Sequence, residues 1–242
     1  MAFHDREQFR KGEGVIGVWD VNNNYRRVNE FKSCGIGPHE LIMPGDGRTL
    51  AVANGGMLTH PDTGLRKLNI LTMNLSLVYL DSEIGRLLEQ YTFEQRRHQK
   101  LSIRHLSTNH TGTICIALQD LGPWRDQIPL VAFHRRGNTK LELAEAPLKT
   151  TCQLRGYMGS VTIDRSGKIA AVSAPRGGVI TFWDMDTYNF LTEIDLRDGC
   201  GIAATNKDGK FLITAGSGKI IFFDALTKQK NKLTLRPLTS RP

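Results

Sequence analysis

Four side chains in this sequence have the chemistry to hold a transition metal: His39, Glu40, His60 and His105. Imidazoles combined with a carboxylate suit iron, zinc or copper, and three protein ligands would leave a coordination position for a substrate. No local spacing of the HExxH kind joins them, so a metal set requires the fold to bring them together. Arg104 and Arg176 offer a different chemistry. A guanidinium presents a planar fork to a carboxylate or a phosphate, and either arginine could equally pair with an acidic neighbour. Ser160 carries a hydroxyl but sits in no GxSxG elbow, which argues against a serine nucleophile. His60, Asp62, Arg66 and Asn69 are the polar contents of the longest irregular stretch, residues 54–74. Stretches of that length often act as binding loops or lids, and a plain surface elaboration is the other reading.

These residues are scattered along the chain, so whether they meet depends on its repeats. A β-rich run ending in an aromatic residue and Asp recurs: VWD at 18–20, VYLD at 78–81, TFWD at 181–184 and IFFD at 221–224, with AFH at 132–134 as a variant. Each run after the first follows an Asp/Asn-plus-Gly hairpin signal and a β-branched strand. The hairpins are GDGR at 45–48, NHTG at 109–112, DRSG at 164–167 and KDGK at 207–210. Repetition of such a unit every 40 to 60 residues or so marks a radial all-β array, a β-propeller of four-stranded antiparallel blades.

The repeats divide one propeller domain, residues 1–242, into an irregular 1–13, a half blade at 14–31, and full blades at 35–97, 101–145, 157–196 and 200–236. The first aromatic-Asp run is a third strand with no room before it for two inner strands. The expectation is therefore about four and a half blades in an open arc, needing missing blades or another chain to close it. A different phasing would give a closed five-blade ring.

Propeller topology puts the connections into each inner strand on the same face as those joining the second and third strands. That face then carries His39, Glu40, Arg104, His105, Ser160 and Cys200 near the channel mouth. Loops 54–74, 119–129, 174–178 and 216–218 surround it.

Composition narrows the function classes. The formal charge is +8, from 32 Lys and Arg against 24 Asp and Glu. The densest basic cluster is Arg96, Arg97, His98 and Lys100, with no stacking aromatics interleaved, so a nucleic-acid partner is not expected. No apolar run approaches the roughly 18 residues of a transmembrane helix. Cys34, Cys115, Cys152 and Cys200 have no CxxC spacing, which leaves two disulfides or four separate thiols open. The first residues, MAFHDREQFRKGEG, hold no secretory signal, so the sequence as given implies a cytoplasmic product.

Several phrases resemble a family of bacterial propellers known as a domain of unknown function and often made with a twin-arginine export signal. They are GVIGVWD (14–20), GIGPHEL (35–41), VANGGMLTHPDTGLRKLN (52–69), LSIRHL (101–106), YMGSVTID (157–164) and PRGG (175–178). The resemblance implies a seven-bladed ring, of which this chain matches the C-terminal two-thirds, a periplasmic location, and a role near iron or redox handling. It supplies no catalytic residues.

The expected function is a binding or scaffold propeller of the cell envelope. A small ligand or protein partner would sit at a channel mouth bearing His39, Glu40, His60, Asp62, Asn69, Arg104, His105, Ser160 and Arg176. The alternative is an enzyme of the lactonase or quinoprotein-like sort, using a metal or cofactor at the same mouth; fold alone does not choose between the two.

Overall fold

Short β-branched and aromatic runs, bounded by Asn, Asp and Gly, fold here as strands. The computed structural model describes residues 2–3, 14–60, 62, 66–123 and 127–233. It contains five antiparallel sheets in chain order. The first has three strands, β1 (Ala2–Phe3), β2 (Val15–Asp20) and β3 (Arg26–Lys32). The second comprises β4 (Pro38–Ile42), β5 (Thr49–Asn54), β6 (Ser76–Asp81) and β7 (Leu87–Tyr91). The third comprises β8 (Leu101–Thr108), β9 (Thr113–Asp120), β10 (Val131–Arg135) and β11 (Glu142–Ala144). The fourth runs through β12 (Ser160–Ile163), β13 (Ile169–Ala174), β14 (Val179–Asp184) and β15 (Phe190–Asp195). The fifth runs through β16 (Gly199–Ala204), β17 (Lys210–Ala215), β18 (Ile220–Asp224) and β19 (Gln229–Leu233).

Each sheet is a meander that packs on its sequence neighbours. The inner strands β4, β8, β12 and β16 lie side by side in succession. Strands β9 and β13 are buried along their whole length, because both faces of these sheets are covered by adjoining blades. Three apolar cores result. One joins the second, third and fourth sheets, one the fourth and fifth, and one the first and second. The aromatic-Asp strands supply the bulk at these junctions. Phe133 stacks on Tyr188 of the next sheet with ring centroids 4.5 Å apart. Phe182 meets Phe211 and Phe223 of the fifth sheet at 5.4 and 4.6 Å.

The arc is open. Among the described residues no strand of the fifth sheet packs on the first, which excludes the closed five-blade phasing. Phe182 is fully buried by the fifth sheet, whereas Phe222, in the same place one repeat later, is 40% exposed.

Two features were not expected. Ala2 and Phe3, within the stretch read as irregular, pair with Ile16 and Val15; residues 4–13 lie outside the described residues, as do 234–236 of the last expected blade. A short helix, α1 (Leu148–Gln153), connects the third and fourth sheets. All four cysteines are free thiols. Among the described residues no helix is long and apolar enough to cross a membrane.

Candidate functional site at the channel mouth

The inner strands are not uniform. In β4 the pairing passes from Pro38↔Asn54 to Glu40↔Ala53, leaving His39 as an extra residue in a β-bulge. In β8 it passes from Ile103↔Leu118 to His105↔Ala117, so Arg104 is the extra residue there. A third bulge sets Cys200 and Gly201 against Thr214 in the β16–β17 pair. Only β12 runs in unbroken register, from Ser160↔Ser173 to Ile163↔Ala170. A bulge bends its strand and re-aims one side chain, and such sites recur beside functional surfaces.

The first two bulges belong to neighbouring inner strands, and His39 of one meets His105, the residue after Arg104, of the other. The rings of His39 and His105 lie edge to face, centroids 4.9 Å apart. His105 Nδ1 is 3.4 Å from Glu40 Oε2. The same oxygen accepts a hydrogen bond from the Leu106 N–H at 2.6 Å, tying β4 to β8. Glu40 therefore acts as a strap between blades as well as a partner for His105. Desolvation, followed by the positive charges of Arg104 and His105, pushes the His39 pKa down from 6.5 to about 4, so its imidazole is neutral near pH 7. The ring nonetheless remains open to solvent, and water screens those charges.

Arg104 is half-buried. Desolvation lowers its pKa, the neighbouring Tyr157 acts to raise it, and the Arg176 guanidinium presses it down again. Arg176 stands in the β13–β14 turn with its guanidinium carbon 4.6 Å from the centroid of the Tyr157 ring, a cation–π contact. Tyr157 precedes β12 and bridges to Gln119 at the end of β9. The turn carrying Arg176 is seated tightly: a Cβ on Gly177 would lie 2.0 Å from the Gln153 carbonyl oxygen, at the end of α1. Gln153 Nε2 also donates to Asp195 Oδ1 at 3.0 Å. Beside the turn lies a groove of about 470 Å³ whose lining includes Arg155, Arg176 and Arg197 together with Asp195 and Asp198. Ser102 Oγ and Gln119 Oε1, from a cross-strand pair beside Arg104, are buried with no hydrogen-bond partner among the described residues.

The remaining candidates separate from this cluster. His60 Nδ1 is 3.4 Å from Asp62 Oδ2, an exposed carboxylate in the long loop. Asn69 fastens the base of that loop, accepting from Leu58 N–H at 2.7 Å and donating to the Gly56 carbonyl at 2.9 Å. Residues 61 and 63–65 of the loop, and 124–126 of the next, lie outside the described residues. Ser160 is half-buried at the start of β12. Among the described residues no group of three or more His, Cys, Asp and Glu side chains is arranged to hold a metal ion. His39, Glu40 and His105 are neighbours, but the carboxylate is committed to Leu106 N–H and His105, and the set as it stands does not fit a metal.

A second cleft, of about 320 Å³, opens on the hairpin face and is lined by Asp46, Tyr79, His110 and Arg136. It is internally neutralised: Arg136 Nε donates to Glu89 at 2.9 Å, and its other end lies 3.9 Å from Asp46. Sequence reasoning missed the bulges at His39 and Arg104: Arg104 has no glycine or proline beside it, and Pro38, which precedes His39, reads equally well as the opening of a regular inner strand.

Five meander sheets with successive inner strands and a polar cluster at one end define a β-propeller architecture. The chain belongs to the family described as a protein of unknown function, DUF1513, whose model matches residues 3–237. No curated protein sequence matches it. Among solved structures it is similar to Hsv2 of Kluyvelomyces marxianus, at 11% identity and a TM-score of 0.55, covering 93% of this chain and 60% of that one. It is also similar to the Cps50 (Swd1) β-propeller domain of Myceliophteria thermophila, at 12% identity and a TM-score of 0.60, covering 92% and 63%. The chain thus spans less than two thirds of the propellers it matches, and at these identities the likeness shows the fold alone.

Proposed function

We propose that the protein is a binding propeller of the bacterial cell envelope whose ligand sits at the channel mouth between the second, third and fourth sheets. The observation that carries this is the pair of adjacent bulges at His39 and Arg104. Each interrupts an otherwise regular ladder at a cost in backbone pairing, and both present a polar side chain at the same end of the channel. The unbroken β12 supports the reading that an inner strand can pair without a bulge, although β16 carries one of its own at Cys200 and Gly201. Closure of the arc by further blades or by another chain is part of the proposal; the uncovered Phe222 supports it. The family resemblance supports a periplasmic site of action and a link to iron or redox handling.

The test is a thermal-shift screen of small metabolites against the native chain and the double variant His39→Ala/Arg176→Ala. Compounds that stabilise the native chain and not the variant support a ligand site at the mouth. Compounds that stabilise both equally place the site elsewhere and sink the reading.

A further inference from the structure

We infer that the channel mouth is an anion site in which Arg104 on β8 and Arg176, stacked on Tyr157, which bridges to Gln119 on the neighbouring β9, clamp the carboxylate or phosphate group of a small molecule. This rests on the binding reading above and adds the charge and chemical class of the ligand.

Arg104 differs from the exposed arginines, several of which (Arg86, Arg135, Arg155 and Arg197) likewise show no ion pair among the described residues, in being half-buried. Arg27 pairs with Glu30, Arg48 with Asp81, Arg136 with Glu89 and Arg165 with Asp208. Among the described residues neither Arg104 nor Arg176 has a carboxylate partner, and neither guanidinium donates a side-chain hydrogen bond. Arg104 bears this unmatched charge while half-buried. A desolvated cation beside a second cation is unfavourable in the free protein, and an anion placed between them removes that penalty while satisfying the N–H donors. Tyr157 fixes the Arg176 guanidinium through its ring face, which leaves the edge of the guanidinium available for a two-pronged contact. The neutral His39 ring can donate or accept a hydrogen bond without adding charge. A net charge of +8 favours the approach of an anion over that of a cation.

The experiment is calorimetric titration of the whole chain with sodium phosphate and, separately, sodium malonate, in chloride buffer at constant ionic strength. One saturable site is expected for at least one of the two, with tighter phosphate binding assigning a phosphorylated ligand and tighter malonate binding a carboxylate. Arg104→Gln and Arg176→Gln should each weaken binding at least tenfold, and Arg165→Gln should leave it unchanged. Arg104→Lys keeps the charge and should retain more affinity than Arg104→Gln; equal losses in the two would point to a folding defect and overturn the clamp. Anion binding unaffected by either Gln variant, or no binding of either anion, also overturns the inference. If a neutral compound binds and depends on His39 but on neither arginine, the anion assignment fails while the ligand site at the mouth survives. If no compound depends on any of the three residues, both fail.

Discussion

Asp164 in the fourth sheet and Gly209 in the fifth are joined by a hydrogen bond, the Gly209 N–H donating to Asp164 Oδ2 at 2.8 Å. The same carboxylate accepts from Ser166, Lys168 and Ile169 within its own hairpin. One repeat earlier, Asn109 closes its hairpin and donates to the Gly167 carbonyl at 3.0 Å. These hairpin turns thus fold themselves and fasten the third blade to the fourth and the fourth to the fifth.

Replacing Asp164 by Ala strands the Gly209 and Ile169 N–H groups. The expected loss is about 2–3 kcal/mol, measurable as a lower urea midpoint. Burial alone would raise the Asp164 pKa, but the donors from Ser166, Gly209 and Ile169 outweigh it and hold the carboxyl below its ordinary value. Its contribution is therefore complete above the ordinary carboxylate range and is lost as pH falls through the depressed folded value. The native chain should lose more stability on acidification than Asp164→Ala does; parallel pH profiles would show that the carboxylate is not the clamp.

His134 is buried between the second and third sheets. Its Nε2 faces the Asn138 carbonyl, which can only accept, so Nε2 carries the proton and Nδ1 accepts from Tyr79 OH at 2.7 Å. Tyr79→Phe keeps the ring packing and removes that donor, at an expected cost of about 1–2 kcal/mol with an unchanged denaturant slope. Desolvation lowers the His134 pKa, with the Asn138 carbonyl, Glu89 and Glu142 opposing. The unfolded chain then takes up a proton near pH 6.5 that the folded chain refuses, so stability falls as pH drops below 7. A flat stability profile between pH 7 and 5 would contradict this.

Gly177→Ala places a methyl group 2.0 Å from the Gln153 carbonyl oxygen. The turn must lift off α1, at about 1–3 kcal/mol, carrying Arg176 with it. Thermal unfolding and phosphate titration should both register the change. Loss of stability with intact phosphate binding would separate the turn from the site.

Phe222, left uncovered where Phe182 is buried, makes the fifth sheet a sticky face. Sedimentation should show association that rises with concentration and falls in Phe222→Lys. Identical behaviour of the two proteins would mean that the face is not the contact.

The propeller was legible because its signals are local and repeated. The hairpin dipeptides and aromatic-Asp endings mark where strands turn and close, as in TFWD at 181–184, which ends β14 (Val179–Asp184). The site was legible only in part. Topology predicted that His39, Glu40, Arg104 and His105 share one end of the channel, but the contact of Arg176 with Tyr157 depends on how α1 seats a turn, and α1 has a sequence with no capping side chain to announce it. The metal reading treated chemically suitable residues as though they converged, whereas the Glu40 carboxylate is used up in strapping β4 to β8.

Each bulge at the mouth is one residue inserted into a ladder that is regular on both sides of it. Deleting His39, or deleting Arg104, should therefore heal the ladder rather than break it, giving inner strands like β12. Loss of a residue from a strand ordinarily turns every later side chain to the wrong face. At these two positions it would instead leave a folded propeller with one polar side chain of the mouth removed. On the binding reading, a single codon then alters the proposed site while the blade that carries it is kept.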